Sequence, residues 1–124
     1  MKFTLLFFIA IALLLLIAGI VRAEEASWYS VESCLREGTS GIMANGEVLN
    51  DERKTCASWD YPFGTKLQVT NLHNGRSVVV LVTDRGPAKR LYKKGRTIDL
   101  SKRAFSELAS LKQGIIEVKV KEIL

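Results

Sequence analysis

The sequence predicts a mainly-β domain, several short strands closed into a small barrel, with one short α-helix at about residues 101–112. Three observations predict it. Leu67 and Val69 alternate with Gln68 and Thr70, and Ile116, Val118 and Val120 alternate with Glu117, Lys119 and Lys121, the period of two that marks half-buried strands. Asn74-Gly75 separates two β-rich runs, a hairpin signal because a type I′ turn needs positive φ at both central residues. A single segment carries helical periodicity, with Ala104, Phe105, Leu108, Ala109 and Leu111 on one apolar face.

Taken in order, residues 3–21 are uncharged and almost wholly apolar, follow Lys2 and lead into Val21-Arg22-Ala23. That is the layout of a secretory signal peptide cut after Ala23, with the remaining chain from 24 to 124 as one domain. The run is also long enough to span a bilayer, so an uncleaved N-terminal anchor is the competing reading, and the only expected membrane contact. Residues 26–31, ASWYSV, read as the first strand, and SCLREGTSGIMANGE after them as an ordered loop. SVVVLVT at 77–83 is apolar on both faces, which suits a central strand. Ser101 can cap the helix, Leu100 can staple onto Phe105, and Gly114 can end it in a left-handed conformation.

The whole chain has a formal charge of +5. Without Lys2 and Arg22 the excess of basic residues is small, which favours anionic envelope polymers over nucleic acid as partners of an exported protein. Two cysteines, Cys34 and Cys56, predict one disulfide in an oxidising compartment. The single histidine, His73, falls in the expected hairpin, so neither a metal site nor another cofactor is expected. A monomer is expected.

The chemistry concentrates in "DRGPAKRLYKKGRTIDLS", residues 84–101. Asp84 and Asp99 each end a β-rich run. Arg85, Lys89, Arg90, Lys93, Lys94 and Arg96 lie between them as an exposed loop, either merely solvated or forming a cationic rim that draws carboxylates or phosphates. Both aspartates also have plain structural uses, in turn hydrogen bonding and beside a helix N-terminus. Trp28 and Tyr29 alternate on a strand, so one faces in and the other out, and an exposed ring can stack on a sugar. Trp59 can pack beside Cys56 or line a groove.

The motifs ASWYS at 26–30, MANGE at 43–47, PFGTKLQVTNLHNGRSVVV at 62–80, TDRGP at 83–87 and IDLS at 98–101 resemble, in order, the rare lipoprotein A (RlpA-like) family. The resemblance implies a six-stranded double-psi β-barrel and lytic transglycosylase activity on peptidoglycan, which cuts the glycan without water and leaves 1,6-anhydro ends. It implies Asp84 and Glu47 as catalytic residues. Trp28, Tyr29, Asn45, Ser58, Trp59 and Arg85 are the candidates for substrate contact. Where the family usually carries a histidine this chain has Ser58, which removes a group able to move a proton near neutral pH. The DLS stretch is also similar to the barrel of expansins and family 45 endoglucanases, which implies Asp99 as the key carboxylate. A wall-binding or wall-loosening module without turnover, and a barwin-like defence or inhibitor module, remain the alternatives to an enzyme.

Overall fold

The computed structural model describes residues 23–124, so the expected signal peptide or anchor lies, apart from Ala23, outside the described residues. Six strands form the wall: β1 (Glu24–Tyr29), β2 (Thr55–Ser58), β3 (Lys66–Asn71), β4 (Ser77–Asp84), β5 (Arg96–Ser101) and β6 (Ile115–Ile123). They close in the order β1-β5-β2-β4-β3-β6. Pairs β1/β5 and β2/β4 are parallel, while β1/β6, β2/β5, β3/β4 and β3/β6 are antiparallel. The closed mixed barrel confirms the expected fold class and removes every free sheet edge from the named strands.

Period-two alternation sends Ala26, Cys56, Leu67, Val69, Val80, Val82, Ile98, Leu100 and Val118 inward to one core. Truncating a fully buried member such as Leu67 to alanine should cost about 2–5 kcal/mol. The main helix, α3 (Lys102–Leu108), closes one end by burying Ala104, Phe105 and Leu108. Ser101 caps it as expected, its Oγ accepting from the Ala104 N–H.

Several expectations are corrected. The helix stops at Leu108, where Ala109 is already extended, and a separate 3-10 turn at Leu111–Gln113 ends at Gly114 with φ +71°. The supposed loop after β1 begins with a helix, α1 (Val31–Arg36), set by reciprocal hydrogen bonds between Ser30 and Ser33. Ser30 is its cap, so β1 ends at Tyr29. A third short helix, α2 (Lys89–Tyr92), interrupts the basic stretch.

The hairpin turn is not type I′, since among the described residues only glycines have positive φ and Asn74 is not one of them. Instead the side chains of Asn71 and Asn74 both donate to the Leu108 carbonyl, at 2.9 and 2.8 Å, and tie the hairpin to the end of α3. The disulfide is also corrected: both cysteines are free. Cys56 is buried in the barrel core, whereas Cys34 is only partly buried on α1, and no bond joins them.

Candidate active site

Strand pairing builds the site. Ala57 of β2 is the register partner of Asp84 on β4 and of Asp99 on β5. The two aspartates therefore flank one small residue across three adjacent strands, with Cα atoms two strand spacings, about 9.5 Å, apart. Residues directly opposed in a sheet share a face, so both carboxyl groups and the Ala57 methyl stand on the same side of the wall. Gly86 packs on that methyl: a Cβ added to it would lie 3.3 Å from the Cβ of Ala57, and its φ of +156° is one that L side chains rarely adopt.

Asp84 is held by three donors. Its Oδ1 accepts from the N–H groups of Ala44 and Arg85, both at 2.8 Å, and its Oδ2 accepts from the Tyr29 hydroxyl at 3.0 Å. A carboxylate offers about four lone-pair positions, so little acceptor capacity is left and the group is fixed in orientation. Burial and the adjacent Asp84 push the Tyr29 phenol far above its ordinary value.

Asp99 is less tethered. It accepts a hydrogen bond from Ser27 Oγ at 2.7 Å. Burial raises its pKa above the ordinary carboxylate value, against the opposing pull of the Ser27 hydroxyl and the Arg96 charge. The two carboxyl groups thus occupy different surroundings within one site, the pattern by which enzymes separate the roles of paired acids.

The other expected residues divide. Tyr29 joins the aspartates. Asn45 shapes the loop beside them: its N–H donates to the Thr83 carbonyl and its side chain accepts from the Glu47 N–H. The Glu47 carboxylate is exposed on the rim and pairs with Arg53 at 3.3 Å. Arg85 turns away from Asp84, donates to the carbonyls of Ser58 and Tyr61, both at 2.8 Å, and lies 3.9 Å from the centroid of the Phe63 ring. It clamps the DRGP turn to the loop after β2. Ser58 is buried, and its hydroxyl accepts from the Asp60 N–H.

Trp28 packs on the core beside Phe105 and donates to the Leu111 carbonyl. Trp59 is 40% exposed; its indole N–H donates to the Pro87 carbonyl, and Lys89 Nζ lies 4.9 Å from the centroid of its ring. Sequence reasoning did not single out Ser27, Ala57 or Gly86. Ser27 was findable, because alternation puts it on the same side of β1 as Tyr29. Among the described residues no group of three or more His, Cys, Asp or Glu side chains is arranged to hold a metal ion, and no helix is long and apolar enough to cross a membrane.

A family model described as "Lytic transglycolase" matches residues 21–120. The chain is 47% identical over 77 residues to "Probable endolytic peptidoglycan transglycosylase RlpA" of Nostoc sp., a match covering 62% of this chain and 20% of that protein. It is 40% identical over 96 residues to "Endolytic peptidoglycan transglycosylase RlpA" of Rickettsia felis, covering 77% of this chain and 39% of that one. The chain therefore spans between a fifth and two fifths of the length of these relatives. Among solved structures it is similar to an expansin of Clavibacter michiganensis, with a TM-score of 0.56 at 26% identity, over 82% of this chain and 50% of the expansin. On the family match, the closed six-stranded barrel and the ordered motifs together, the chain belongs to the RlpA-like lytic transglycolase family of double-psi β-barrel domains.

Proposed function

We propose that the protein is an exported lytic transglycosylase that cuts peptidoglycan between muramic acid and glucosamine, with Asp99 as the proton donor and Asp84 as the fixed negative charge beside it. The observation that carries this reading is the pairing of two unlike carboxyl groups on either side of Ala57. Glycoside cleavage needs an acid for the leaving oxygen and stabilisation of an oxocarbenium-like transition state. Burial raises the Asp99 pKa and so favours the protonated form that an acid needs. Asp84, held by three donors, suits a charge that must not move as the cation develops.

In the sequence proposed, Asp99 gives its proton to the glycosidic oxygen and the C1–O bond breaks. The 6-hydroxyl of the same muramic acid then attacks C1, and its proton passes to the Asp99 carboxylate. The acid is regenerated and no water enters, so a 1,6-anhydro end forms. Glu47, Asn45 and Trp59 are assigned to the groove rim as glycan contacts. The names of the curated relatives support the reaction class.

Incubation with peptidoglycan followed by mass spectrometry tests the reading. Wild type should release 1,6-anhydro ends, and Asp99→Asn and Asp84→Asn should each lower that release by roughly 10²-fold or more. A second reading, a wall-binding module without turnover, is favoured by one observation: Ser58, at the family's usual histidine position, is buried, and its hydroxyl accepts from the nearby Asp60 N–H. Binding to insoluble peptidoglycan without any anhydro product would establish that alternative.

A further inference from the structure

A second concave feature adjoins the aspartate pair. A cavity of about 670 Å³ is lined by Ala23 and Glu24 at the start of β1, by Asp60, by Tyr92, Lys93, Gly95 and Thr97, and by Lys119, Val120 and Lys121 of β6. Three lysines, Lys93, Lys119 and Lys121, are exposed on its wall, and none of them takes part in the ion pairs among the described residues. The two acids in the same wall are each hydrogen-bonded to a neighbouring wall residue: Glu24 accepts from Thr97 Oγ1 at 2.8 Å, and Asp60 from the Tyr92 hydroxyl at 2.5 Å. Three lysines against two hydrogen-bonded carboxylates leave the hollow with an excess of positive charge, which favours an anion.

Position identifies the anion. Thr97, in the cavity wall, is two residues from Asp99 along β5, about 7 Å by strand rise. Tyr92 and Lys93 also line a smaller hollow with Trp59, Asp60 and Lys89, and Trp59 is anchored to Pro87, three residues beyond Asp84. The cavity and the smaller hollow share Asp60, Tyr92 and Lys93, and the strand that carries Asp99 passes through the cavity wall at Thr97. Lysine ammonium groups are compact point charges that suit a single carboxylate without demanding a fork-shaped partner.

We infer that this lysine cavity binds a carboxylate pendant from muramic acid while the glycan occupies the aspartate groove. The inference rests on the proposed substrate, and it adds a recognition site that sorts strands by charge. The carboxylate has two sources: the lactyl group of a strand without peptides, or the stem peptide of a substituted one.

The test uses three soluble glycans of equal length: a chitin oligosaccharide, a peptide-free muramic acid oligosaccharide, and the same oligosaccharide with stem peptides. Binding is measured by calorimetry to wild type, to Lys119→Ala/Lys121→Ala, and to Lys102→Ala/Lys112→Ala as a control of equal charge loss. Wild type and control should bind a carboxylate-bearing glycan roughly tenfold tighter than the chitin oligosaccharide, and the cavity variant should lose that preference. A gain already present without peptides identifies the lactyl group, and one that appears only with them identifies the stem. Equal binding of all three glycans by wild type, or a preference unchanged in the cavity variant, overturns the inference. Release of anhydro ends is measured on the same samples. Lysine-dependent binding without that product overturns the reaction but not the cavity, and product with no lysine dependence does the reverse.

Discussion

The hydroxyl of Tyr29 donates to Oδ2 of Asp84 across 3.0 Å, joining the first strand to the end of the fourth over a groove that also holds Asp99. The contact spans residues 55 positions apart and fixes one oxygen of a carboxylate whose other oxygen is fixed by backbone N–H groups. Tyr29→Phe removes that tether alone. Stability should fall by about 1.5–3 kcal/mol, the scale of a hydrogen bond to a charged group. Release of anhydro ends should drop roughly tenfold through kcat rather than KM, as Asp84 gains freedom to turn. Unchanged kcat would mean that the Ala44 and Arg85 N–H groups hold the carboxylate by themselves.

Asp99 links stability to pH in the opposite direction from a salt-bridged acid. Burial raises its pKa in the folded chain above the ordinary 3.8. Below that value folded and unfolded chains both hold the proton. As pH rises the unfolded chain releases it first, so stability declines until the folded-state pKa is passed. Asp99→Asn cannot ionise, and its melting temperature at pH 7 should exceed that of wild type, with the gap closing as pH approaches 3.8. Wild-type turnover should fall over the same rise in pH, as the donor loses its proton. A variant that melts below wild type at pH 7 would contradict the assignment of Asp99 as a desolvated acid.

Gly86 and Gly75 offer a matched comparison. Both have positive φ, but a Cβ on Gly75 meets nothing within 4 Å, whereas one on Gly86 meets Ala57 at 3.3 Å between the two aspartates. Gly75→Ala should cost about 1–2 kcal/mol of stability through backbone conformation and leave turnover intact. Gly86→Ala should cost at least as much and also lower turnover, because the DRGP turn must lift off Ala57. Chemical unfolding and product assays on the pair separate the two effects.

The cysteines give a chemical readout of the barrel. Cys34 is partly accessible on α1, while burial in the core pushes the Cys56 thiol up to about 12. Alkylation of the native protein without prior reduction should modify Cys34 alone, and denaturant should expose Cys56 as a second free thiol. Two thiols that label only after reduction would restore the disulfide.

The barrel was legible because its strands carry a strict alternation, as in Leu67 to Thr70 and Ile116 to Lys121, and because Ser101 and Leu100 announce the helix start. The aspartates were legible as motifs. Their relationship was not, since Ala57 brings them together through pairings between strands distant in sequence, one parallel and one antiparallel, which no local pattern encodes. The Arg85 side chain was unreadable for a similar reason: its acceptors at Ser58 and Tyr61 are backbone carbonyls, which leave no trace in residue identity. Counting cysteines failed because parity says nothing about position: Cys56 is part of the barrel core and Cys34 lies on α1. Asn74-Gly75 marked the turn correctly but not its type, which tertiary hydrogen bonds to Leu108 decide.

The place of β1 in the barrel has a consequence for how the chain reaches its native state. Its hydrogen-bonding neighbours are β5 and β6, the last two strands to be synthesised. The N-terminal strand therefore waits, unpaired, until almost the whole domain has been made, and closure of the wall is a late, long-range event. Folding governed by such distant pairings runs in roughly the millisecond-to-second range rather than the microseconds of helical bundles. A chain of this design keeps its first strand open until the late strands are made, so Ser27 and Tyr29 reach Asp99 and Asp84 only after β5 has been synthesised.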